Sequence, residues 1–305
     1  MKLPTPHLEK LQATLANDKL PPEDKPVIEG AIRRYDEWVK KLRSANGSSV
    51  DDLVKRMVAL LNDYRLYLDV EVIFDREADF LYRQKGQTKL DNSVIEEFLP
   101  HLVYKCVMRD RDTTGIAIGP NTTFSSIYFA SSLDAPAKGG GITVRTKDQD
   151  FAIGKAVYLR ASHDEHFKEA TTKALYVGYV CAECKTNLDK TMFQEAVATA
   201  HDTKAAVTGA KYFLLCEWLD MLPQSTAPTD IDEVIILRKQ KRMSSNVRAS
   251  FGTSAGRKAG RKKFLKFLQD NPFNPDMFLR FVNHLSGLFG VEEPEENTVL
   301  KQGYF

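Results

Sequence analysis

Tyr176-Val-Gly-Tyr-Val-Cys-Ala-Glu-Cys-Lys-Thr-Asn187 is an apolar, β-branched run into which a carboxylate and an ammonium are set two residues apart. The run reads as the end of one buried strand, Ala174 to Lys185. Side chains alternate across a strand, so Cys181, Glu183 and Lys185 share a face. A charge buried without a partner costs several kcal/mol, so that face opens on a site or closes as a mutual ion pair at a sheet edge. Glu-x-Lys alone is a weak motif. Its context strengthens it: a helix follows over Lys190 to Ala206, with Met192 or Phe193, Ala196, Val197 and Ala200 inward, and Gly209 marks its end.

Upstream, Thr146-Lys-Asp-Gln-Asp-Phe-Ala-Ile-Gly154 passes from polar to apolar at the start of another strand, with Asp148 and Asp150 on one face. If the two strands are neighbours, Asp150 and Glu183 can bind a hard cation through oxygen, helped by the backbone carbonyl of Cys184. Lys185 then projects toward the same cavity. Asp148 is the alternative to Asp150. Such a set suits phosphodiester hydrolysis, in which an ion offsets charge on the transition state and the lysine orients or activates water.

Working outward, three-and-four spacing predicts helices over Val27 to Leu42 and Leu53 to Tyr64, separated by a loop from Ser44 to Ser49. Ser49, with Asp51 and Asp52, supplies a capping hydroxyl and negative charge to the second. Ser93-Val-Ile-Glu96 has the form of a capping box, with a kink or stop at Pro100. From about Thr114 the pattern turns to short strands, and two more follow the helix, Tyr212 to Leu219 and Glu233 to Leu237. This order predicts an α/β sheet flanked by helices with a helical N-terminal part. It divides into a helical region 1–90, a catalytic core 91–240, and a segment 241–305 of basic, DNA-contacting residues and C-terminal helices.

At 305 residues and 43% apolar content the chain can bury a substantial core. A net charge of +2 excludes a polycation, so any affinity for nucleic acid depends on local clustering. Such a cluster occurs between Arg238 and Lys266, a stretch without acids. Its Arg238, Lys239, Lys241, Arg242, Arg248, Arg257, Lys258, Arg261 and Lys262 would attract phosphate backbones, unless the stretch is simply a solvated loop. Four scattered cysteines fit a reducing compartment, and with no apolar leader or span the expectation is a cytoplasmic protein without membrane contact. Cys181-Ala-Glu-Cys184 has CxxC spacing but lacks a second ligand pair, and opposite strand faces make these two small core residues. His163 and His166 could bind zinc, but a surface helix is the plainer account. No G-x-x-x-x-G-K-[ST] or G-x-G-x-x-G motif and no H-x-K repeat is present, which argues against ATP-driven and phospholipase-type nucleases.

Glu183-Cys184-Lys185, preceded by an Asp-bearing strand and followed by helix and strand, resembles the PD-(D/E)XK nuclease core. The longer run Glu-Cys-Lys-Thr-Asn-Leu-Asp-Lys-Thr-Met-Phe-Gln-Glu-Ala196 looks like the two-subunit Bpu-type type II restriction endonucleases, which cut a CCTNAGC-like site. The resemblance implies a restriction endonuclease-like fold, a mixed central sheet flanked by helices. It implies Mg2+ held by Asp150 and Glu183, Lys185 supporting the water, and Glu97 or Glu195 as additional acids. It also implies double-stranded DNA as substrate, 5′-phosphate products, and a homodimer or a heterodimer with a related subunit. No proline precedes Asp150, and Glu183 lies thirty-three positions further on, a spacing for which Arg160 to Lys173 would account as an insertion. A repair or transposition nuclease and a non-catalytic DNA-binding subunit are the alternatives.

Overall fold

The computed structural model describes residues 2–289 and 296–303. Helices α1 (Pro6–Leu15), α2 (Lys25–Ser44) and α3 (Val50–Tyr67) open the chain, their apolar residues recurring at helical spacing. In α2, for example, Ile28, Ala31, Tyr35, Trp38, Val39 and Leu42 make one buried stripe. The Ser49 hydroxyl caps α3 by accepting from the Asp52 amide at 3.1 Å, as its sequence predicts. A π-helical turn, Leu68–Phe74, continues α3, and α4 (Phe80–Gln84) and α5 (Ser93–Val103) follow.

Two expectations for α5 are corrected. Ser93 is its first residue and turns its hydroxyl to the His7 ring (2.9 Å), so no capping box forms. The helix also runs through Pro100 to Val103, with every residue buried, so the proline does not stop it.

The sheet contains β1 (Ile116–Phe129), β2 (Ile142–Ala161), β3 (Thr171–Leu188), β4 (Lys211–Leu219) and β5 (Glu233–Ile236), in that spatial order. β1, β2 and β3 pair antiparallel, whereas β3, β4 and β5 run parallel. A parallel step needs a crossover, and α6 (Lys190–Ala206) supplies it between β3 and β4. The thirty-three-position spacing from Asp150 to Glu183 is therefore a long hairpin. His163 and His166 lie exposed in its turn, not on a helix.

Alternation sends Cys181, Tyr212, Leu214 and Cys216 to the α6 side, onto Phe193, Ala196 and Ala200. Ala182, Cys184, Phe213 and Leu215 face the other way, toward the N-terminal helices. The CxxC pair is thus split across the sheet, and all four cysteines are free. After β5 come α7 (Ser245–Ser250), α8 (Ser254–Asp270), α9 (Pro275–Ser286) and α10 (Glu296–Gln302). The basic, glycine-bearing stretch is mostly helical rather than a loop. Gly260 belongs there because a Cβ would come within 2.3 Å of the Phe251 ring. One apolar cluster runs from Leu11 through the sheet to Leu285, crossing positions 90 and 240. Positions 290–295 and 304–305 of the segment 241–305 lie outside the described residues.

Candidate active site

Asp150 sits at an interruption in the sheet. β1 and β2 pass from Gly119↔Ala152 to Asn121↔Gln149, leaving Asp150 and Phe151 opposite the single residue Pro120. This is a β-bulge, and proline, which has no N–H to give, sits where the ladder is already broken. The bulge re-aims the side chains. Ala152 joins the α6-side cluster and Gln149 reaches Thr203 of α6 (3.4 Å), while Phe151 turns the other way, onto Phe281 of α9. On its other edge, β2 pairs with β3 only as far as Phe151↔Ala182, one step short of Asp150 and Glu183. The two acids therefore stand where their strands part, on a cleft of about 570 Å3 that Cys184 and Lys185 also line.

Within the cleft, Asp150 Oδ2 accepts from the Cys184 amide at 3.0 Å, which locks the two strand ends together. Lys185 Nζ lies 2.5 Å from Glu183 Oε1, and the Tyr212 hydroxyl donates to Glu183 Oε2 at 3.2 Å. Asn92, just before α5, donates to Glu96 Oε1 and to the Cys184 carbonyl, both at 3.0 Å. Burial pulls the Lys185 ammonium down, but its hydrogen bond to Glu183 and the fields of Glu183, Asp150 and Glu195 outweigh this and hold it above the usual lysine range. Burial, then the Asp150 charge, pushes the Glu96 carboxyl up. Burial and neighbouring acids keep the Cys184 thiol protonated, so the residue offers the site its carbonyl rather than its sulfur.

The remaining candidates fall in different places. Asp148 lines the cleft from an exposed position and accepts from Thr122 Oγ1 at 2.6 Å. Glu195 is exposed on α6, near enough to act on Lys185 but not lining the cleft. Glu97 is turned away from it: its carboxylate lies under α1, accepting from the His7 and Leu8 amides and the Tyr35 hydroxyl. Its neighbour Glu96 takes the cleft side, because one helical residue rotates the side chain by about 100°.

The basic stretch divides in the same way. Arg238 is buried between Trp218 and Phe273, pairs with Glu217 (3.4 Å) and donates to the Asn271 carbonyl. Arg257 is buried among the carbonyls of Phe74, Arg76 and Phe251. Neither can reach a phosphate, which corrects their assignment as DNA contacts. Lys239, Lys258 and Arg261 are exposed but paired with Asp276, Glu77 and Asp75, and Lys241 and Lys262 are exposed. Arg242 and Arg248 line the cleft itself and share Asp220 at 3.1 and 3.8 Å. Sequence reasoning missed Lys89 and Asn92, which line the cleft, and Glu96 and Tyr212, which contact its lining residues from behind. Only the inward face of α5 could have signalled Glu96.

No three His, Cys, Asp or Glu side chains converge on one point among the described residues. Asp150, Glu183 and Cys184 line one cleft, and what the two carboxylates and the Cys184 carbonyl have to give there is oxygen. That suits a small hard cation such as Mg2+, which takes one or two carboxylates and leaves its other positions to water and phosphate.

A mixed five-stranded sheet flanked by helices, behind a helical N-terminus, is the restriction endonuclease-like fold. The structure is similar to a chain of the native BbvCI A2B2 tetramer, solved at low resolution, with a TM-score of 0.60 and 17% identity over 94% of this chain and 98% of that one. The model of the Bpu10I restriction endonuclease family matches residues 87–305, and the chain belongs to that family. A search of curated proteins finds no significant match.

Proposed function

We propose that this chain is a Mg2+-dependent type II restriction endonuclease of the PD-(D/E)XK kind, which hydrolyses duplex DNA at a specific sequence and leaves 5′-phosphates. The observation that carries this reading is the arrival of Asp150, Glu183 and Lys185 at one cleft where β2 and β3 separate. Asp150, Glu183 and the Cys184 carbonyl would hold the ion. Once bound, Mg2+ offsets charge developing on the phosphate and acidifies a water.

The chain's own groups do the rest. The Cys184 amide fixes Asp150, and Tyr212 fixes Glu183, so both carboxylates are held in place on the cleft. Lys185, kept as an ammonium by Glu183, donates to the attacking water or to a phosphoryl oxygen. Arg242 and Arg248 border the same cleft and position the phosphate backbone. Breaking the bond to O3′ leaves a 5′-phosphate. One such centre cuts one strand, so a duplex cut requires a second copy or a related subunit. The A2B2 assembly of BbvCI supports this.

The test is digestion of phage DNA with Mg2+. Wild type gives discrete fragments, whereas Asp150→Ala, Glu183→Ala and Lys185→Ala each lose at least about 100-fold in rate while still shifting DNA on a gel. A smear instead of bands indicates a repair or transposition nuclease. Full activity in all three variants refutes the assignment.

A further inference from the structure

Asp150 is ion-paired with Lys89, not Lys185. The Lys89 ammonium lies 3.5 Å from Asp150 Oδ1 and 3.6 Å from Glu96 Oε1, bridging the β2 bulge to α5. Both carboxylates are well sheltered, with side chains 19% and 5% exposed, and two like charges so placed repel unless a cation stands between them. The backbone at Lys89 is held in place. It adopts the left-handed region (φ 50°), uncommon for a non-glycine residue, and its carbonyl receives the first amide of α5 at 3.0 Å. The side chain, by contrast, is 47% exposed on the cleft wall and can withdraw without unpacking the core.

We propose that Lys89 is an internal counter-ion that occupies the charge position a divalent cation needs at Asp150, so that the ion binds only by displacing it. This rests on the reading of Asp150 and Glu183 as the ion site. Lys89 is then a positioning residue. It holds the acids together in the ion-free protein and competes for Asp150 when the ion arrives.

The test is direct titration of Mn2+ into the full-length, metal-free protein, with free ion followed by its electron paramagnetic resonance signal. K89M and K89Q should bind Mn2+ about tenfold more tightly than wild type, because the competing charge is gone. K89R, which keeps the charge, should match wild type, and D150N should bind more weakly. In EDTA, K89M should melt below wild type, and Mn2+ should restore it. Mn2+ affinity in K89M and K89Q that is no higher than wild type, with D150N still impaired, overturns the role of Lys89 and leaves the ion site standing. Wild-type binding by D150N overturns the ion site as well.

Discussion

Arg257 and Arg242 come from one basic stretch, yet their surroundings give them opposite roles. The Arg257 side chain is 1% exposed, pairs with Asp79 at 2.9 Å and saturates its guanidinium with backbone carbonyls. Arg257→Met should strand those acceptors and cost about 3 kcal/mol or more, read from urea unfolding. Arg242, at the cleft, has a surface partner in Asp220. Arg242→Ala should leave unfolding unchanged, weaken DNA binding across sequences and lower the salt dependence of log K by about 1, measured by titrations at several salt concentrations. The residue types were visible in the chain. Which arginine is buried was not, because Phe74, Arg76 and Asp79 lie far away in sequence.

Among the elements, β2 and α6 decide the geometry of the cleft. α6 starts directly after β3, and Asp189 caps it by accepting from the Met192 amide at 2.9 Å. Asp189→Ala should cost about 1 kcal/mol, seen as a lower urea midpoint with unchanged slope. Gly154 marks the register shift between β2 and β3, and a Cβ there would meet the Val177 carbonyl oxygen at 1.9 Å. Gly154→Ala should destabilise by about 1–3 kcal/mol in the same measurement, since backbone must move to admit it. The alternation of β3 was legible, because it rests on one strand's own pleat. The bulge at Asp150 was not, because it depends on Pro120 of a strand about thirty residues earlier.

Across the whole molecule, the helical N-terminal part leaves a titratable group in the core. Burial raises the Glu97 carboxyl to about 7, against hydrogen bonds from Tyr35, His7 and Leu8 that pull it down. The folded protein thus holds this proton more tightly than the unfolded chain. The stability it contributes is full below about pH 4.5 and is lost as pH rises through about 7. Burial, then the Arg65 charge, lowers His7 to about 3, so its contribution runs the other way: present above about 6.5 and lost as pH falls toward 3. Glu97→Gln removes the first effect and leaves the second. Its melting temperature should therefore fall more steeply than that of wild type between pH 6.5 and 5, by calorimetry across that range.

The chain by itself determined the helical start, the strand carrying Glu183 and Lys185, the helix that follows it, and the Asp-bearing strand before it. All of these rest on periodicity and caps within a few residues. Only the tertiary structure decided which helix acid faces the cleft, that Lys89 stands beside Asp150, and which arginines are buried. Those outcomes turn on a bulge, a one-residue helix rotation and contacts between distant segments, none of which leaves a local pattern.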